Sequence, residues 1–129
     1  MDVTVIILTK NEEIHIRRCL QLLKPLDPAR IVLIDCDSTD ATQQIAREMG
    51  AEVIVHQWPG NQAEQFNWAL DNLDITTEWI LRLDADEYLS DELVNELHSV
   101  VPVLPGSISA LLFPRGRVFM ERKLRHGIV

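Results

Sequence analysis

Residues 3–13 read VTVIILTKNEE, and this stretch decides the fold. Val3–Thr9 is a run of apolar and β-branched residues, which predicts a strand buried on both faces. Lys10 and Asn11 end the run, and Glu12 and Glu13 follow in the first turn of a predicted helix, where the helix dipole favours acids. A buried strand that leads directly into a helix is typical of a parallel sheet covered by helices.

The same alternation continues along the chain. Further strands are predicted at 31–34, 53–56, 79–83 and 109–113, and helices at 12–23, 41–49, 62–73 and 92–101. Right-handed crossovers between such units give an α/β fold with a doubly wound, mostly parallel, Rossmann-like sheet. Ligands of such sheets bind at the carboxyl ends of the strands.

Composition sets further limits. The chain has 129 residues, of which 47% are apolar and 25% charged, so we expect one globular domain. Two cysteines are too few for a disulfide framework or a zinc site. There is no apolar run of about 18 residues and no leader-like start, so we expect no membrane span and a reducing, cytoplasmic location.

The charge is unevenly distributed. The net charge of −8 argues against a nucleic-acid partner, which needs a basic face. Residues 1–113 hold nineteen acids and seven bases, a net −12, whereas residues 114–129 hold five bases and one acid, a net +4. The last sixteen residues are therefore a different kind of sequence, and a boundary is predicted after residue 113.

Acidic residues follow two of the predicted strands. They are Asp35, Asp37 and Asp40 after the second strand, and Asp84, Asp86 and Glu87 after the fourth. Because these loops share one edge of a parallel sheet, their mutual repulsion favours a bound cation, and carboxylate oxygens suit Mg²⁺ or Mn²⁺. Residues i and i+2 of an extended segment point to the same side, so Asp84 and Asp86 could both face that site. The alternative is that such acids are solvated or, like Asp40 and Asp91, cap helices.

Glycine-rich phosphate loops are absent from the sequence. Neither Gly-x-Gly-x-x-Gly nor Gly-x-x-x-x-Gly-Lys-Ser/Thr occurs, so a dinucleotide or P-loop site is not expected. A metal would then neutralise any bound phosphates. Asp35, at the end of its strand, is placed to accept a hydrogen bond from a ribose or base.

Four segments together resemble glycosyltransferases of family 2, which have the GT-A fold. They are 7–13 (ILTKNEE), 35–42 (DCDSTDAT), 65–70 (QFNWAL) and 83–87 (LDADE), the last matching the Asp-x-Asp signature. A further likeness, over 117–127, is to transferases of the bacterial lipopolysaccharide core and envelope glycans. The family usually has glycine where this chain has Asp37.

The resemblance implies transfer of a sugar, with inversion, from a nucleotide-diphosphate sugar to a glycan or lipid-linked acceptor. The residues implied in nucleotide-sugar binding are Thr9, Asn11, Glu12, Asp35, Asp37, Gln65, Asn67 and Asp84. The metal, Mg²⁺ or Mn²⁺, would be held by Asp86 with Asp84. It would stabilise the leaving diphosphate, while a base expected beyond Val129 deprotonates the acceptor.

The resemblance also implies an organisation in two parts. Residues 1–113 would be the donor-binding domain, and residues 114–129 the basic start of a truncated acceptor-side segment that closes over the donor phosphates. Lipid-linked acceptors and a basic tail suggest peripheral association with the inner face of the cytoplasmic membrane.

Two alternatives stay open. One is a non-catalytic fragment that only binds nucleotide. The other is a signalling module of the response-regulator type, which needs paired acids after the first strand, where this chain has Lys10 and Asn11. Arg82, within the fourth strand, could pair with the acidic cluster or lie at a sheet edge.

Overall fold

A computed structural model describes residues 1–113 and 118–122. Six strands form one sheet in the order β3-β2-β1-β4-β6-β5. The strands are β1 Val3–Thr9, β2 Arg30–Asp35, β3 Glu52–Val55, β4 Trp79–Asp84, β5 Ala110–Phe113 and β6 Val118–Arg122. The first four are parallel, and β6 is antiparallel to both β4 and β5. The predicted α/β fold with a mostly parallel sheet is confirmed.

Four α-helices cover the two faces of the sheet. They are α1 Glu13–Gln21, α2 Thr42–Glu48, α3 Gln62–Asn72 and α4 Asp91–Val100. Alternate residues of the strands point to opposite faces, so two cores form. Val5 and Ile7 of β1 share one core with buried residues of α1, α2 and α4, whereas Ile6 shares the other with Phe66 and Ala69 of α3. The sheet is thus doubly wound, with α3 on its own face.

The strand register determines what meets at the carboxyl edge of the sheet. Thr9 at the end of β1 is paired with Asp35 at the end of β2, and Leu8 with Asp84 at the end of β4. The segments that follow these three strands therefore leave the sheet side by side. Central β1 is almost wholly buried, as its uninterrupted apolar sequence predicts.

Helix starts are fixed by local capping. The side chain of Asn61 accepts a hydrogen bond from Glu64 N at 2.8 Å, and that of Ser90 accepts one from Leu93 N at 3.1 Å. These bonds satisfy backbone donors that the first turn of a helix leaves without a partner. The helices α3 and α4 consequently begin within a residue of the predicted positions.

The basic segment contains a strand that sequence analysis did not predict. Residues 118–122 form β6, which lies between β4 and β5, and Met120 is fully buried in the first core. This strand pairs with neighbouring β5 on one side and with distant β4 on the other, and the long-range partner is not visible in the local sequence pattern. The assignment of 1–113 to donor binding and 114–129 to an acceptor-side segment stays a prediction, and Arg117 and residues 123–129 lie outside the described residues.

Arg122 of the basic segment lies at the amino edge of the sheet, and closure of this segment over the donor phosphates stays a prediction. Its partner in the sheet is Trp79, the first residue of β4, at the edge opposite to Asp84. Its guanidinium stacks 4.4 Å from the centre of the Trp79 ring, forms an ion pair with Glu78 at 3.2 Å and donates to the Pro105 carbonyl at 2.9 Å. Arg122 therefore stabilises the amino edge of the sheet.

None of the helices in the described part of the chain has the length and apolarity needed to cross a membrane.

Candidate functional site at the carboxyl edge of the sheet

Asp35 forms the centre of a buried polar cluster. Its Oδ1 accepts hydrogen bonds from the hydroxyls of Thr9 and Ser38, each at 2.6 Å. Its Oδ2 accepts from the backbone N–H of Ser38 at 2.7 Å and from Gln43 Nε2 at 2.8 Å. A carboxylate has about four acceptor positions, so all are occupied.

This cluster keeps Asp35 ionised although it is completely buried. Burial alone would raise the pKa of the Asp35 carboxyl, but the hydrogen bonds from Ser38, Thr9 and Gln43 outweigh it and hold the pKa below its ordinary value. With 0% of its surface exposed, Asp35 shapes the loop from within. Direct contact of its carboxylate with a nucleotide stays a prediction, and the same holds for Thr9, which is 5% exposed.

The loops after β1 and β2 are bound to each other. Asn11 N donates to Ser38 Oγ at 2.8 Å, and Asn11 Oδ1 accepts from Thr39 N at 2.8 Å. Lys10 Nζ donates to the Asp37 carbonyl at 3.0 Å. Asn11 and Asp37 have φ angles of 51° and 50°, a left-handed conformation that Asn and Asp adopt more readily than most residues. Aspartate at position 37 thus fits a turn where the resembled family has glycine.

The same two loops cap each other's helices. Asp40 Oδ2 accepts from Glu13 N at 3.2 Å in α1, and Glu13 Oε2 accepts from Ala41 N at 3.1 Å at the start of α2. Thr42 Oγ1 accepts from Glu12 N at 2.8 Å, and Asp40 Oδ1 accepts from Thr42 N at 2.9 Å. Asp40 is therefore a helix cap, as one of the two alternatives for it predicts.

Electrostatics connect Glu12 to the loop after β4. Its pKa is raised, chiefly by burial, and the nearby His15 lowers it in part. The carboxylates of Asp86, Asp40 and Asp84 raise it further. Acids of the loops after β2 and β4 thus lie close enough to Glu12, in the loop after β1, to oppose its ionisation, which agrees with the convergence that the sequence predicts.

The Asp84–Asp86 segment differs in shape from the prediction. The strand β4 ends at Asp84, and Ala85 and Asp86 form a turn, closed by a bond from Glu87 N to the Asp84 carbonyl at 2.9 Å. The predicted extended conformation of residues 84–86 is therefore wrong. The turn leaves Asp84 half-buried and Asp86 exposed beyond the strand end.

No group of three or more His, Cys, Asp or Glu side chains within residues 1–113 and 118–122 is arranged to hold a metal ion. Mg²⁺ and Mn²⁺ are commonly held by one or two protein carboxylates, with phosphates and water completing the shell. Exposed Asp86 with half-buried Asp84 fits that donor set. Burial raises the pKa of the nearby Cys19 thiol to about 12, which disfavours the thiolate form that binds metals.

The two candidates on α3 have different environments. Gln65 is 1% exposed and bonds to His56 at the end of β3, with its Oε1 2.7 Å from Nδ1 of the ring. Asn67 is exposed on the same helix. Contact of either residue with a nucleotide stays a prediction, since the structure shows only that Asn67 is exposed and that Gln65 is buried and bonded to His56.

Sequence reasoning missed Ser38, Gln43 and His56 as parts of this edge. Ser38 donates twice to Asp35, through its backbone N–H and its hydroxyl. Gln43 is the second residue of α2 and donates to the same carboxylate, and no motif in the sequence marks it. His56 had no spacing to other histidines that would mark it.

Arg82 matches neither expectation. It lies on central β4, where its guanidinium sits 5.1 Å from the centre of the Phe66 ring, and Nη2 is 3.4 Å from Gln62 Oε1. Both partners belong to α3, so Arg82 points to the face of the sheet that α3 covers.

Comparison with known proteins identifies the family. The model of "Glycosyl transferase family 2" matches residues 4–101, about three quarters of the chain. The chain belongs to glycosyl transferase family 2. This membership confirms the resemblance and removes the basis for a response-regulator module.

Family 2 relatives are considerably longer. An uncharacterised glycosyltransferase of Rickettsia typhi is 35% identical over 120 residues, which cover 88% of this chain and 40% of that protein. The chain thus spans about two fifths of the length of this curated relative.

Solved structures confirm the GT-A fold. A mannosyltransferase of Pyrobaculum calidifontis, in complex with GDP-Man and Mn²⁺, matches with a TM-score of 0.68 and 22% identity over 94% of this chain and 44% of its own. Glucosyl-3-phosphoglycerate synthase of Mycobacterium tuberculosis, with Mn²⁺, UDP and glucosyl-3-phosphoglycerate, matches with a TM-score of 0.63 and 20% identity, over 85% and 42%.

Proposed function

We propose that this chain is the donor-binding part of a metal-dependent glycosyltransferase that takes a nucleotide-diphosphate sugar at the carboxyl edge of its sheet. The observation that supports this most is that the strand register brings the acids after β1, β2 and β4 to one edge, where Asp86, Asp40 and Asp84 add to the effect of burial in raising the pKa of Glu12. Excess negative charge at an edge where parallel sheets bind ligands favours a cation, and a cation in turn favours a diphosphate.

Asp86 would hold the metal, with help from Asp84. When bound, Mg²⁺ or Mn²⁺ supplies Lewis-acid stabilisation to the departing diphosphate. The neighbours solved with Mn²⁺ support a divalent ion. A bound cation would reduce the repulsion between Glu12 and the neighbouring carboxylates, and this reduction would contribute to the binding free energy of the metal.

The nucleotide contacts are proposed to divide into two groups. Asn11, Glu12, Asp37 and Asn67 are at least partly exposed and would touch the ligand, together with Asp84. Thr9, Asp35 and Gln65 are buried, and we propose that they hold the exposed group in place. Because the hydrogen bonds between the two loops already fix Asn11 and Asp37, little conformational entropy would be lost on binding.

The remaining features of the reaction are proposed from the family resemblance. They are inversion at the transferred sugar, a general base beyond Val129, and a glycan or lipid-linked acceptor of the bacterial envelope. Residues 1–113 would form the donor domain, and residues 114–129 would begin the acceptor side. A cytoplasmic enzyme acting at the inner membrane face suits such an acceptor, and the alternative is that the chain binds nucleotide without catalysis.

Thermal unfolding with ligands tests the donor site. We expect UDP or GDP with Mn²⁺ to raise the melting temperature of the chain, and neither nucleotide nor Mn²⁺ alone to do as much. Asp86→Ala should abolish the Mn²⁺-dependent part. The matched control is Asp71→Ala, an exposed aspartate in the last turn of α3, which should change nothing. Absence of a shift with every nucleoside diphosphate would contradict the proposal.

A further inference from the structure

His56 occupies a fixed position beside the Asp35 loop. Its backbone N–H donates to the Asp35 carbonyl at 2.9 Å, immediately after the end of β3. Its half-buried ring stacks on Trp68 of α3, with the ring centres 3.7 Å apart and the planes 16° apart. One face of the imidazole is therefore covered, and the ring cannot swing freely.

Gln65 determines which nitrogen of the neutral His56 ring carries the proton. Its Nε2 donates to the His56 carbonyl at 3.2 Å, and because a carbonyl oxygen only accepts, this bond identifies the nitrogen end of the amide. The Oε1 atom then faces His56 Nδ1 at 2.7 Å, and an amide oxygen also only accepts. The proton of neutral His56 must therefore be on Nδ1, which leaves Nε2 as a hydrogen-bond acceptor.

No side chain among the described residues uses that acceptor, since the bond to Gln65 is the one side-chain hydrogen bond of the His56 ring there. A structural role in joining β3 to α3 needs only the stacking and the Nδ1 bond. The bond to buried Gln65 also fixes one tautomer, and it leaves Nε2 as an acceptor that the structural role does not use, at the edge where the donor is proposed to bind.

We propose that His56 Nε2 accepts a hydrogen bond from the ring N–H of the donor's nucleobase. Uracil carries such a donor at N3 and guanine at N1, whereas cytosine N3 and adenine N1 are acceptors that would face the acceptor of His56. The site would therefore select donors of the uracil or guanine type and reject those of cytosine and adenine. This inference rests on the proposed function and specifies its substrate class.

Calorimetric titration of the chain with UDP, GDP, CDP and ADP in the presence of Mn²⁺ tests the inference. UDP or GDP should bind at least about tenfold more tightly than CDP and ADP. His56→Ala should reduce this preference to about twofold or less, mainly by weakening the preferred nucleotide. The control His98→Ala should keep the preference, since His98 lies in the last turn of α4 with its Nε2 3.0 Å from the Pro25 carbonyl.

A change in the ligand avoids any effect of the mutation on folding. The diphosphates of 3-methyluridine and 1-methylguanosine lack the ring N–H and should lose the advantage in the unmodified chain. Binding of all four nucleotides with equal affinity, preference for CDP or ADP, or full preference in His56→Ala would overturn this inference while leaving the proposed function intact. Failure of every nucleotide to bind would overturn both.

Discussion

Replacing Asp35 tests how strongly the buried cluster holds the edge together. In Asp35→Ala four donors lose their acceptor. The half-buried Gln43 amide can turn to water and the Ser38 hydroxyl can rotate, but the Ser38 backbone N–H is fixed and the Thr9 hydroxyl is buried. Each of these two donors left unsatisfied costs about 1–3 kcal/mol, so we expect a loss of about 2–6 kcal/mol in the free energy of unfolding. That is a large share of the roughly 5–15 kcal/mol available to a domain.

Asp35→Asn should be much milder. The amide oxygen can accept from the two N–H groups, and its NH₂ can donate to the two hydroxyls, so mainly the strengthening by charge is lost, about 1–2 kcal/mol. The hydrogen bonds hold the pKa of Asp35 low in the folded state. Its contribution is therefore complete above the unfolded value of about 3.9 and is lost as the pH falls through the folded pKa. The difference between wild type and Asp35→Asn should close below about pH 4.

Urea unfolding followed by tryptophan fluorescence measures both effects. Curves at pH 7 and at several lower values, with Asp71→Asn as the exposed control, give the differences in unfolding free energy. A loss of less than about 0.5 kcal/mol in Asp35→Ala, the size expected for a surface substitution, would refute the cluster's role. A gap between wild type and Asp35→Asn that stays constant below pH 4 would refute the assigned ionisation.

Three other substitutions have defined outcomes. Glu12→Gln removes repulsion among the converging acids, so without metal the melting temperature should rise by about 1–2 °C at pH 7. The increase in melting temperature that Mn²⁺ causes should become smaller. A fall in melting temperature without metal would contradict the convergence. Arg122→Ala removes packing on Trp79, the ion pair with Glu78 and the hydrogen bond to Pro105. It should lower the free energy of unfolding in urea by about 1–3 kcal/mol and leave nucleotide affinity unchanged. Weaker nucleotide affinity at unchanged stability would instead place Arg122 at the site. Asn61→Ala should cost about 1 kcal/mol through loss of the α3 cap, and Asn61→Asp should retain most of it in the same urea assay.

Much of the fold could be predicted because local pattern and burial agree. The apolar run of β1 and the spacing of buried residues on the helices each indicate one structure, and the strand ends then determine which loops meet. The strand β6 was not predicted, since besides nearby β5 it pairs with β4 much earlier in the chain, where Arg82 pairs with Phe119 and Trp79 with Arg122. A charge count over 114–129 likewise could not show that Arg122 lies at the edge opposite the acids.

For the site, the sequence located the edge but not the burial of each side chain. Family resemblance selects residue types by position and cannot distinguish a ligand contact from a support. Asp35 and Gln65 are buried and bonded within the protein, whereas Asp86 and Asn67 are exposed. The shape of residues 84–86 depends on where β4 ends. The prediction that alternate side chains share one side requires an extended segment, but the structure has a tight turn there.

Paramagnetic broadening of backbone amide signals by Mn²⁺ tests the central claim most directly. In the presence of UDP or GDP, the account predicts that Mn²⁺ broadens amides of residues 10–12, 36–38 and 84–87. Those of Val3, Arg30 and Trp79 should be broadened much less at the same substoichiometric Mn²⁺, because they lie at the amino edge, about 16 Å from Asp84 along a strand of six residues. Asp86→Ala should remove the broadening. Broadening centred on the amino edge, or unchanged in Asp86→Ala, would contradict a metal–diphosphate site at the carboxyl edge.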